Sequence, residues 1–349
     1  MRIDQLTFTR FLAAILIVVF HYGDFLFPFN TSFLSVFISQ ANVGVSYFFI
    51  LSGFVMVIAY GNQDKINAFA YLQNRLLRVY PIYFLSLVLI FIYRTCILLV
   101  PIGYYGLFLN VTLMKAWIPA KATSFNSPGW TLSVEFFFYV LFPFLFNYIY
   151  NKKDNKKQFA LYSIFFWIAS QLALHAFIYS ACYKGYPSES HNFIYYWPLM
   201  HLNEFLIGNL AGLFFIYNWK TQTKNYDWQI AGVLIVMAVV LKYHGPLIFH
   251  NGLLAVFFVP LILLLSLNTG WITKVMKNKR LVFLGEISFS VYILQVPIYA
   301  LCTWTFDQFT LEGDNLRFYL FLLVLICFSS LTYLLIESPV RNKFRKSHR

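Results

Sequence analysis

The sequence predicts an all-α fold, a polytopic bundle of membrane-spanning helices, and three observations indicate that class. Of the 349 residues, 60% are hydrophobic and only 11% are charged, whereas soluble domains carry roughly 25% charged residues. The apolar residues fall in runs long enough to cross a bilayer, and the basic residues concentrate in alternate loops. Because a soluble fold of this length cannot bury so much apolar surface, the bilayer must solvate most of the chain.

The apolar runs number about ten when they are measured against the roughly 20 residues that a helix needs to cross the hydrocarbon core. No long hydrophilic segment separates them, so residues 1–349 are predicted to form a single integral-membrane domain. The seventh run is short and fits this length least well. The predicted spans are Thr7–Tyr22, Val43–Tyr60, Tyr80–Leu99, Leu132–Tyr150, Phe159–Cys182, Trp197–Tyr217, Trp228–Leu241, Phe249–Leu267, Leu284–Thr303 and Phe318–Ile336.

The 26 lysine and arginine residues divide unequally between the two sides of this topology, with 20 on the side of the N-terminus. Cytoplasmic loops are enriched in these residues, so an even number of spans with both termini in the cytoplasm is predicted. Orientation in the membrane also explains the net charge of +13 without nucleic-acid binding. Two basic groups are expected to be simple membrane-surface anchors: the run Lys152–Lys157 and the C-terminal tail with Arg341, Lys343, Arg345, Lys346 and Arg349.

The first predicted span contains two ionisable residues, Arg10 and His21. Such side chains are costly in a membrane and usually face an interior cavity. Eleven steps along a helix return to within roughly 20° of the same face, which places the two on one stripe, about 16 Å apart. A polar stripe of this length is typical of a path or a reaction site. The alternative is that Arg10 reaches the inner headgroups and His21 lies at an interfacial helix end.

The start of the fourth predicted span contains Trp130 and Glu135. Trp130 is expected at the membrane interface. Glu135 is followed directly by aromatic residues, and a carboxylate in that setting needs a partner. It either orients a histidine, binds a hydroxyl group, or pairs with an arginine. In the second span, Ser52 and Gly53 predict close packing between helices.

Arg75 and Arg78 lie three residues apart near the inner surface, on one helix face. Guanidinium groups bind phosphate through two parallel hydrogen bonds, so this pair is a candidate phosphate site. The alternative is a positively charged anchor. Glu204 and Glu286 are further carboxylates near apolar runs, and each is either functional or only paired. No spacing of cysteine and histidine indicates a metal site, so no metal is expected.

Several of these segments together resemble the membrane acyltransferase-3 family. That family is marked by an arginine and a histidine separated by ten intervening residues, an FF-x-LSGF segment, an RxxR element and a W-x-L-x-x-E element. Two late segments of this chain also look familial. The matching positions are Arg10 with His21, Phe48–Phe54, Arg75–Arg78, Trp130–Glu135, Gly285–Tyr292 and Glu337–Pro339. They follow the family's order, so the resemblance covers essentially the whole chain.

The resemblance implies about ten spans in a bacterial inner membrane and transfer of an acyl group, usually acetyl from acetyl-CoA, to a glycan hydroxyl. Typical acceptors are O-antigen, capsule, exopolysaccharide or lipid-linked saccharides. It also implies roles for Arg10 and His21 and for the two RxxR arginines. Family members often carry a second histidine in the ninth span. This chain has Gln295 there, so His21 is the remaining candidate base.

Together these arguments predict a site of catalytic, donor-binding and substrate-contacting residues. The predicted catalytic residues are His21, Arg10 and Glu135. The predicted donor-binding residues are Arg75 and Arg78, and the predicted substrate-contacting residues are Trp130 and Ser52. The expected partners are acetyl-CoA, a glycan or lipid-linked saccharide acceptor and membrane lipids, and no nucleic acid. The main alternative is a flippase or exporter of lipid-linked sugars. Such a transporter would line a path with the same buried charges and would neither bind nor consume acetyl-CoA.

Overall fold

The computed structural model describes residues 3–150, 155–219, 221–243 and 245–341. Within these ranges the structure contains no β-strand, and the predicted all-α fold class is confirmed. The helices are α1 Asp4–Tyr22, α2 Ser35–Ile38, α3 Gly44–Tyr60, α4 Ala68–Ile92, α5 Tyr104–Val111, α6 Trp130–Leu145, α7 Asn155–Ile178, α8 Glu189–Tyr196, α9 Leu202–Phe214, α10 Asp227–Lys242, α11 Ala255–Leu267, α12 Trp271–Met276, α13 Lys279–Gln308 and α14 Asp314–Thr332.

Several basic residues that were counted in the charge comparison lie outside the described residues. They are Arg2, Lys152, Lys153, Lys220, Lys343, Arg345, Lys346 and Arg349.

In the described parts of the chain, eight helical segments are long and apolar enough to cross a membrane. They overlap the first six and the last two predicted spans, so the chain is a multi-pass membrane protein. The segments are Asp4–Tyr22, Ala41–Tyr60, Ala68–Ile97, Ser127–Tyr150, Lys157–Ile178, Pro198–Trp219, Lys279–Gln308 and Asp314–Arg341.

The seventh and eighth predicted spans correspond to α10 and α11, which have 16 and 13 residues. At 1.5 Å per residue they are about 24 Å and about 20 Å long, shorter than the hydrocarbon core of roughly 30 Å. The eighth span was predicted to begin at Phe249, but α11 begins at Ala255. The reason is that Asn251 and Gly252 have positive φ angles of 62° and 101°, which interrupt the helix. The count of ten spans stays a prediction.

Although they are short, α10 and α11 extend along the bundle from one end to the other. At the tip of this hairpin, the Asn251 side chain donates a hydrogen bond of 2.9 Å to the carbonyl of Ile194, which precedes α9. At its base, the carbonyl of Leu265 accepts a hydrogen bond of 2.9 Å from Gln5 in the first turn of α1. The hairpin therefore contacts the first turn of α1 at its base and α8 at its tip.

The closest helix crossings are made by glycines. A Cβ atom on Gly208 of α9 would collide with the carbonyl oxygen of Ile50 on α3, and one on Gly53 with that of Phe205. A Cβ atom on Gly285 of α13 would likewise collide with the backbone of α1. Small residues let membrane helices approach closely enough for van der Waals packing to hold them together. The predicted close packing at Gly53 is confirmed.

The substitution Gly208→Val should destabilise the bundle by about 3 kcal/mol, because the added side chain forces α9 away from α3. The measurement is thermal unfolding of the detergent-solubilised protein. Gly232→Val is the matched control, since Gly232 lies on α10 and a Cβ atom added there would have no atom within 4 Å. Equal melting temperatures for the two variants would show that the α3–α9 crossing does not limit stability.

The chain begins and the last described segment ends on the same side of the bundle. There Arg341, after α14, forms an ion pair of 2.9 Å with Glu286, near the start of α13. Gly285 packs against Thr7 in the first turns of α1. We call this side the proximal end and the opposite side the distal end.

Candidate functional site

A polar cavity of about 80 Å³ lies in the proximal half of the bundle. It is enclosed by α1, α3, α4, α6, α13 and the π-helical turn Tyr333–Glu337 that follows α14. Its lining brings together five of the seven predicted site residues, which come from four different helices: Arg10, Ser52, Arg75, Arg78 and Glu135. Helix packing thus collects in one place residues that are widely separated in the sequence.

The Arg75 side chain is held by aromatic rings. Its guanidinium carbon lies 5.8 Å, 5.3 Å and 5.9 Å from the ring centroids of Tyr60, Tyr71 and Tyr139. Aromatic faces attract a cation without neutralising its charge. The three rings therefore position the guanidinium and leave its positive charge available to an anion in the cavity.

Three of the arginines that line this cavity lack an ion-pair partner. Across the described ranges, Arg317 and Arg341 form ion pairs within 4.0 Å, and Arg10, Arg75 and Arg78 form none. The glutamates that line the same cavity offset this positive charge only in part, and guanidinium groups that converge in a cavity repel one another and are costly to desolvate. An anionic ligand with several charges would relieve this repulsion, and guanidinium groups favour phosphate.

Glu135 lies on α6 at the distal limit of this cavity and is half-buried. Its Oε2 atom accepts a hydrogen bond of 2.9 Å from the Tyr139 hydroxyl, one helical turn later. The sequence left open whether this carboxylate pairs with an arginine. Among the described residues it forms no ion pair within 4.0 Å, although Arg10 lines the same cavity. Its other oxygen is thus available to a ligand.

A second, smaller cavity of about 30 Å³ adjoins the first on its distal side. Four residues line both cavities and form the junction between them: Arg10, Phe48, Glu135 and Phe289. Beyond the junction the wall includes the hydroxyl-bearing residues Thr131, Ser288 and Tyr292. We call these two adjoining cavities the passage, and Arg10 and Glu135 lie at the junction between them.

The loop before α6 fixes the position of Glu135 relative to α13. The buried ammonium group of Lys115 donates hydrogen bonds of 2.8 Å and 2.6 Å to the carbonyls of Ser124 and Asn126. Burial holds the pKa of the Lys115 ammonium well below its usual value. The Asn126 side chain in turn donates a 2.9 Å hydrogen bond to the carbonyl of Ile293 on α13. These bonds tie the start of α6 to the helix that lines both cavities.

His21 lies near the distal end of α1, is exposed, and lines neither cavity. Its Nδ1 atom is 3.0 Å from Oε1 of Gln295 on α13. Nε2 of Gln295 donates a 2.6 Å hydrogen bond to the carbonyl of Tyr292. That bond orients the amide so that its oxygen faces His21, and Nδ1 must therefore be the donor. In the neutral ring the lone pair is then on Nε2, as a general base requires.

The separation between His21 and the passage is about one helical turn. Tyr292 lines the second cavity and Gln295, the partner of His21, follows three residues later on α13. Three residues rise about 4.5 Å along a helix. The stripe predicted on α1 is therefore divided, with Arg10 inside the passage and His21 just beyond its distal end.

Trp130 is buried within a cluster of aromatic rings and does not line either cavity. Its ring centroid lies 5.9 Å from Phe49, 5.0 Å from Tyr196 and 5.1 Å from His201. Only 6% of the residue is exposed, so it is not at the lipid interface as the sequence suggested. A role for Trp130 in contacting substrate stays a prediction.

His201 and Glu204 form a fully buried pair, with 2.7 Å between Nδ1 and Oε2. The Nε2 atom of His201 is 3.0 Å from the carbonyl of Tyr195, which can only accept, so Nε2 carries a proton. The pair connects the first turn of α9 to the end of α8. The sequence left open whether Glu204 is functional or paired, and the structure shows it paired with His201.

Sequence reasoning did not assign four polar residues of the cavity lining to the site: Tyr139, Tyr333, Glu337 and Arg341. It left open whether Glu286 is functional or paired, and the structure shows Glu286 in the lining and paired with Arg341. Arg341 was assigned to a tail that anchors the chain at the membrane surface, and this assignment is corrected. Its guanidinium turns back over the cavity to the carboxylate of Glu286. The signals in the sequence were that Glu286 is a carboxylate near an apolar run and that Glu286 and Glu337 fall in the two late familial segments. In the part of the chain that the structure covers, no three His, Cys, Asp or Glu side chains are grouped as a metal site requires.

Most of this chain is similar to known acyltransferases. The family model described as an acyltransferase domain, that of the acyltransferase-3 family, matches residues 3–335. Acyltransferase MdmB of Streptomyces mycarofaciens is 25% identical over 337 residues, which cover 85% of this chain and 79% of that protein. A protein of Acidianus two-tailed virus, provisionally named an acetyltransferase, is 27% identical over 264 residues, covering 72% of this chain and 71% of the viral protein.

A third relative comes from Staphylococcus aureus strain COL and is provisionally named an O-acetyltransferase. It is 24% identical over 228 residues, which cover 61% of this chain and 36% of the staphylococcal protein. No solved structure matches this chain.

Proposed function

This chain belongs to the acyltransferase-3 family, and from that premise we propose that it transfers an acetyl group from acetyl-CoA to a hydroxyl of an extracytoplasmic or lipid-linked glycan. Its family makes it an acyltransferase. One observation carries the choice of donor, namely that Arg10, Arg75 and Arg78 line one cavity without an ion-pair partner among the described residues. Coenzyme A carries a diphosphate and a 3′-phosphate, which suit converging guanidinium groups.

In this proposal the proximal end faces the cytoplasm of a bacterium and the protein lies in the inner membrane. The excess of basic residues in the loops of that side supports the orientation. We also propose that α10 and α11 cross the membrane as a short hairpin, which gives ten spans. The contacts of Gln5 with Leu265 and of Asn251 with Ile194 support this, because they place the two ends of the hairpin at opposite ends of the bundle.

Arg75 and Arg78 would hold the phosphates of acetyl-CoA in the proximal cavity. The narrow pantetheine arm, with the thioester at its tip, would extend through the junction to the distal cavity. Arg10 and Glu135 lie at that junction. The arm contains two amide groups, so the guanidinium can donate to an amide carbonyl and the carboxylate can accept from an amide N–H. Ser52 lines the same cavity and can hydrogen-bond to the donor.

His21 would act as the general base at the distal end. Its Nε2 lone pair takes the proton of the acceptor hydroxyl as that oxygen attacks the thioester carbonyl. The new C–O bond forms, the C–S bond breaks, and the proton passes from the imidazole to the departing thiolate. Gln295 would position the ring through Nδ1. Side chains near Tyr292 must shift to let the thioester cover the last helical turn to His21.

Binding of acetyl-CoA to the purified protein in detergent tests this function. Titration calorimetry should show saturable binding of acetyl-CoA. Acetyl-S-N-acetylcysteamine, which has the thioester but no phosphates, should bind far more weakly, because it cannot contact the arginines. A flippase or exporter of lipid-linked sugars has no need of the donor. Equal or undetectable binding of both compounds would favour the transporter over the acetyltransferase.

A further inference from the structure

Three side chains form a closed network at the mouth of the proximal cavity. Nη1 of Arg341 lies 2.9 Å from Oε2 of Glu286, and Nη2 donates a hydrogen bond of 3.1 Å to the Tyr333 hydroxyl. The Tyr333 hydroxyl donates a hydrogen bond of 3.1 Å to the same carboxylate oxygen. All three side chains line the cavity. A guanidinium has five N–H donors, so this network leaves Arg341 with donors to spare.

The network is partly exposed to solvent. The side chain of Arg341 is 37% exposed, whereas that of Glu286 is 12% exposed. Arg75 lies within its ring of tyrosines. Arg78 is exposed as well. What distinguishes Arg341 is its ion pair with Glu286 at the start of α13, on the proximal rim, and it is the only one of the four cavity arginines with an acidic partner within 4.0 Å among the described residues.

The orientation of the bound donor determines which of its chemical groups would contact Arg341. If the proposed function holds, the thioester points towards His21, so the opposite end of the molecule stays at the proximal mouth. That opposite end is the adenosine with its 3′-phosphate, while the diphosphate lies between it and the pantetheine arm. The diphosphate would then meet Arg75 and Arg78, and the 3′-phosphate would lie at the rim.

The charges of the cavity lining favour a change of partner for Arg341, from Glu286 to a phosphate group of the ligand. Four arginines and three glutamates line the cavity, which leaves little net positive charge for a ligand with three phosphate groups. A phosphate monoester carries about −1.5 to −2 at neutral pH and binds guanidinium strongly. If Arg341 turns to it, Glu286 keeps the hydrogen bond from Tyr333. The carboxylate is therefore not stranded when the ion pair opens.

We propose that Arg341 recognises the 3′-phosphate of acetyl-CoA and that Glu286 competes with this phosphate for the guanidinium. The inference rests on the proposed function and specifies its donor. Arg341 thus acts as a specificity residue that distinguishes coenzyme A from its 3′-dephospho form. Glu286 weakens donor binding and thereby favours release of the coenzyme A product.

The test compares the affinity of the purified protein for acetyl-CoA and for 3′-dephospho-acetyl-CoA. The unaltered protein should prefer acetyl-CoA by about tenfold or more, the value of a hydrogen bond to a charged group. Arg341→Gln should abolish this preference and leave affinity for the dephospho form unchanged within about twofold. Glu286→Gln should do the opposite and tighten binding of acetyl-CoA several-fold, because Arg341 loses its competing partner.

A purely structural clamp would give a different pattern. Both substitutions would then weaken binding of both ligands together, and that result would overturn the inference. Arg317→Gln is the matched control, since Arg317 also forms an ion pair, with Asp307 at 2.8 Å, but at the distal end. The double variant Glu286→Gln/Arg341→Gln removes both charges and tests for effects of an unpaired carboxylate. Its affinities for acetyl-CoA and for 3′-dephospho-acetyl-CoA should resemble those of Arg341→Gln.

The failure of this inference is distinguishable from failure of the proposed function. If the unaltered protein prefers acetyl-CoA and Arg341→Gln keeps that preference, the donor assignment stands and the role of Arg341 is wrong. If the unaltered protein binds neither compound, the proposed function itself is wrong and the inference falls with it.

Discussion

The variant His21→Gln should lose acetyl transfer by about 10²- to 10⁴-fold, the usual contribution of a general base. Its affinity for acetyl-CoA should not change, because the arginines that would bind the phosphates lie in the proximal cavity and His21 lies beyond the distal one. Glutamine can still hydrogen-bond to Gln295 but has no basic nitrogen. The loss should therefore appear in kcat, measured with labelled acetyl-CoA in membranes that contain the acceptor.

His175→Gln is the matched control for this variant. His175 also lies in the distal half of a long helix, α7, where Nδ1 is 2.8 Å from the carbonyl of Gln171 and Nε2 accepts from the Ile248 amide. It lies outside both cavities, so transfer should be retained once the amounts of folded protein are matched. A His21→Gln protein with full activity would show that another group removes the proton from the acceptor.

The variants Arg75→Gln and Arg78→Gln should each weaken acetyl-CoA binding by roughly 10- to 100-fold, as expected when a charge-assisted hydrogen bond is lost. The effect should appear in the Kd for acetyl-CoA and in KM, and kcat at saturating donor should change little. Arg78→Lys should recover only part of the affinity, because an ammonium group cannot bind phosphate through a planar fork.

Two results would contradict the phosphate role of these arginines. One is an unchanged dependence of activity on acetyl-CoA concentration in Arg78→Gln. The other is an equal loss in Arg317→Gln, whose arginine lies far from the cavity near the distal end. Increased salt should also weaken donor binding in the unaltered protein more than in the variants, since fewer charge contacts remain to be screened.

Much of the fold could be predicted from the sequence because the bilayer imposes a simple rule of length and apolarity. That rule found the eight long helices. It could not find the break at Asn251 and Gly252, where a left-handed backbone conformation ends an otherwise apolar run. It also could not show that the short α10–α11 hairpin reaches both ends of the bundle, since that depends on contacts with Gln5 and Ile194.

Most residues of the site could be predicted from the sequence, but their arrangement in space could be predicted only in part. Helical periodicity placed Arg10 and His21 on one stripe, yet it could not show that His21 lies just beyond the distal end of the passage that contains Arg10. Arg341 was assigned to the surface because its neighbours in sequence are basic. Its position in the cavity lining depends on Glu286, 55 residues earlier, and no local pattern reveals such a contact.

The most direct test of the central claim is the amount of mild-alkali-labile acetate on the glycans of the cell envelope. Cells with the unaltered protein, cells without it, and cells with His21→Ala at matched membrane levels would be compared. The acetyltransferase account predicts ester-linked acetate only in the first, on a sugar that identifies the acceptor. Equal acetate in all three would contradict the account, and equal acetate in the first and third would contradict the role of His21.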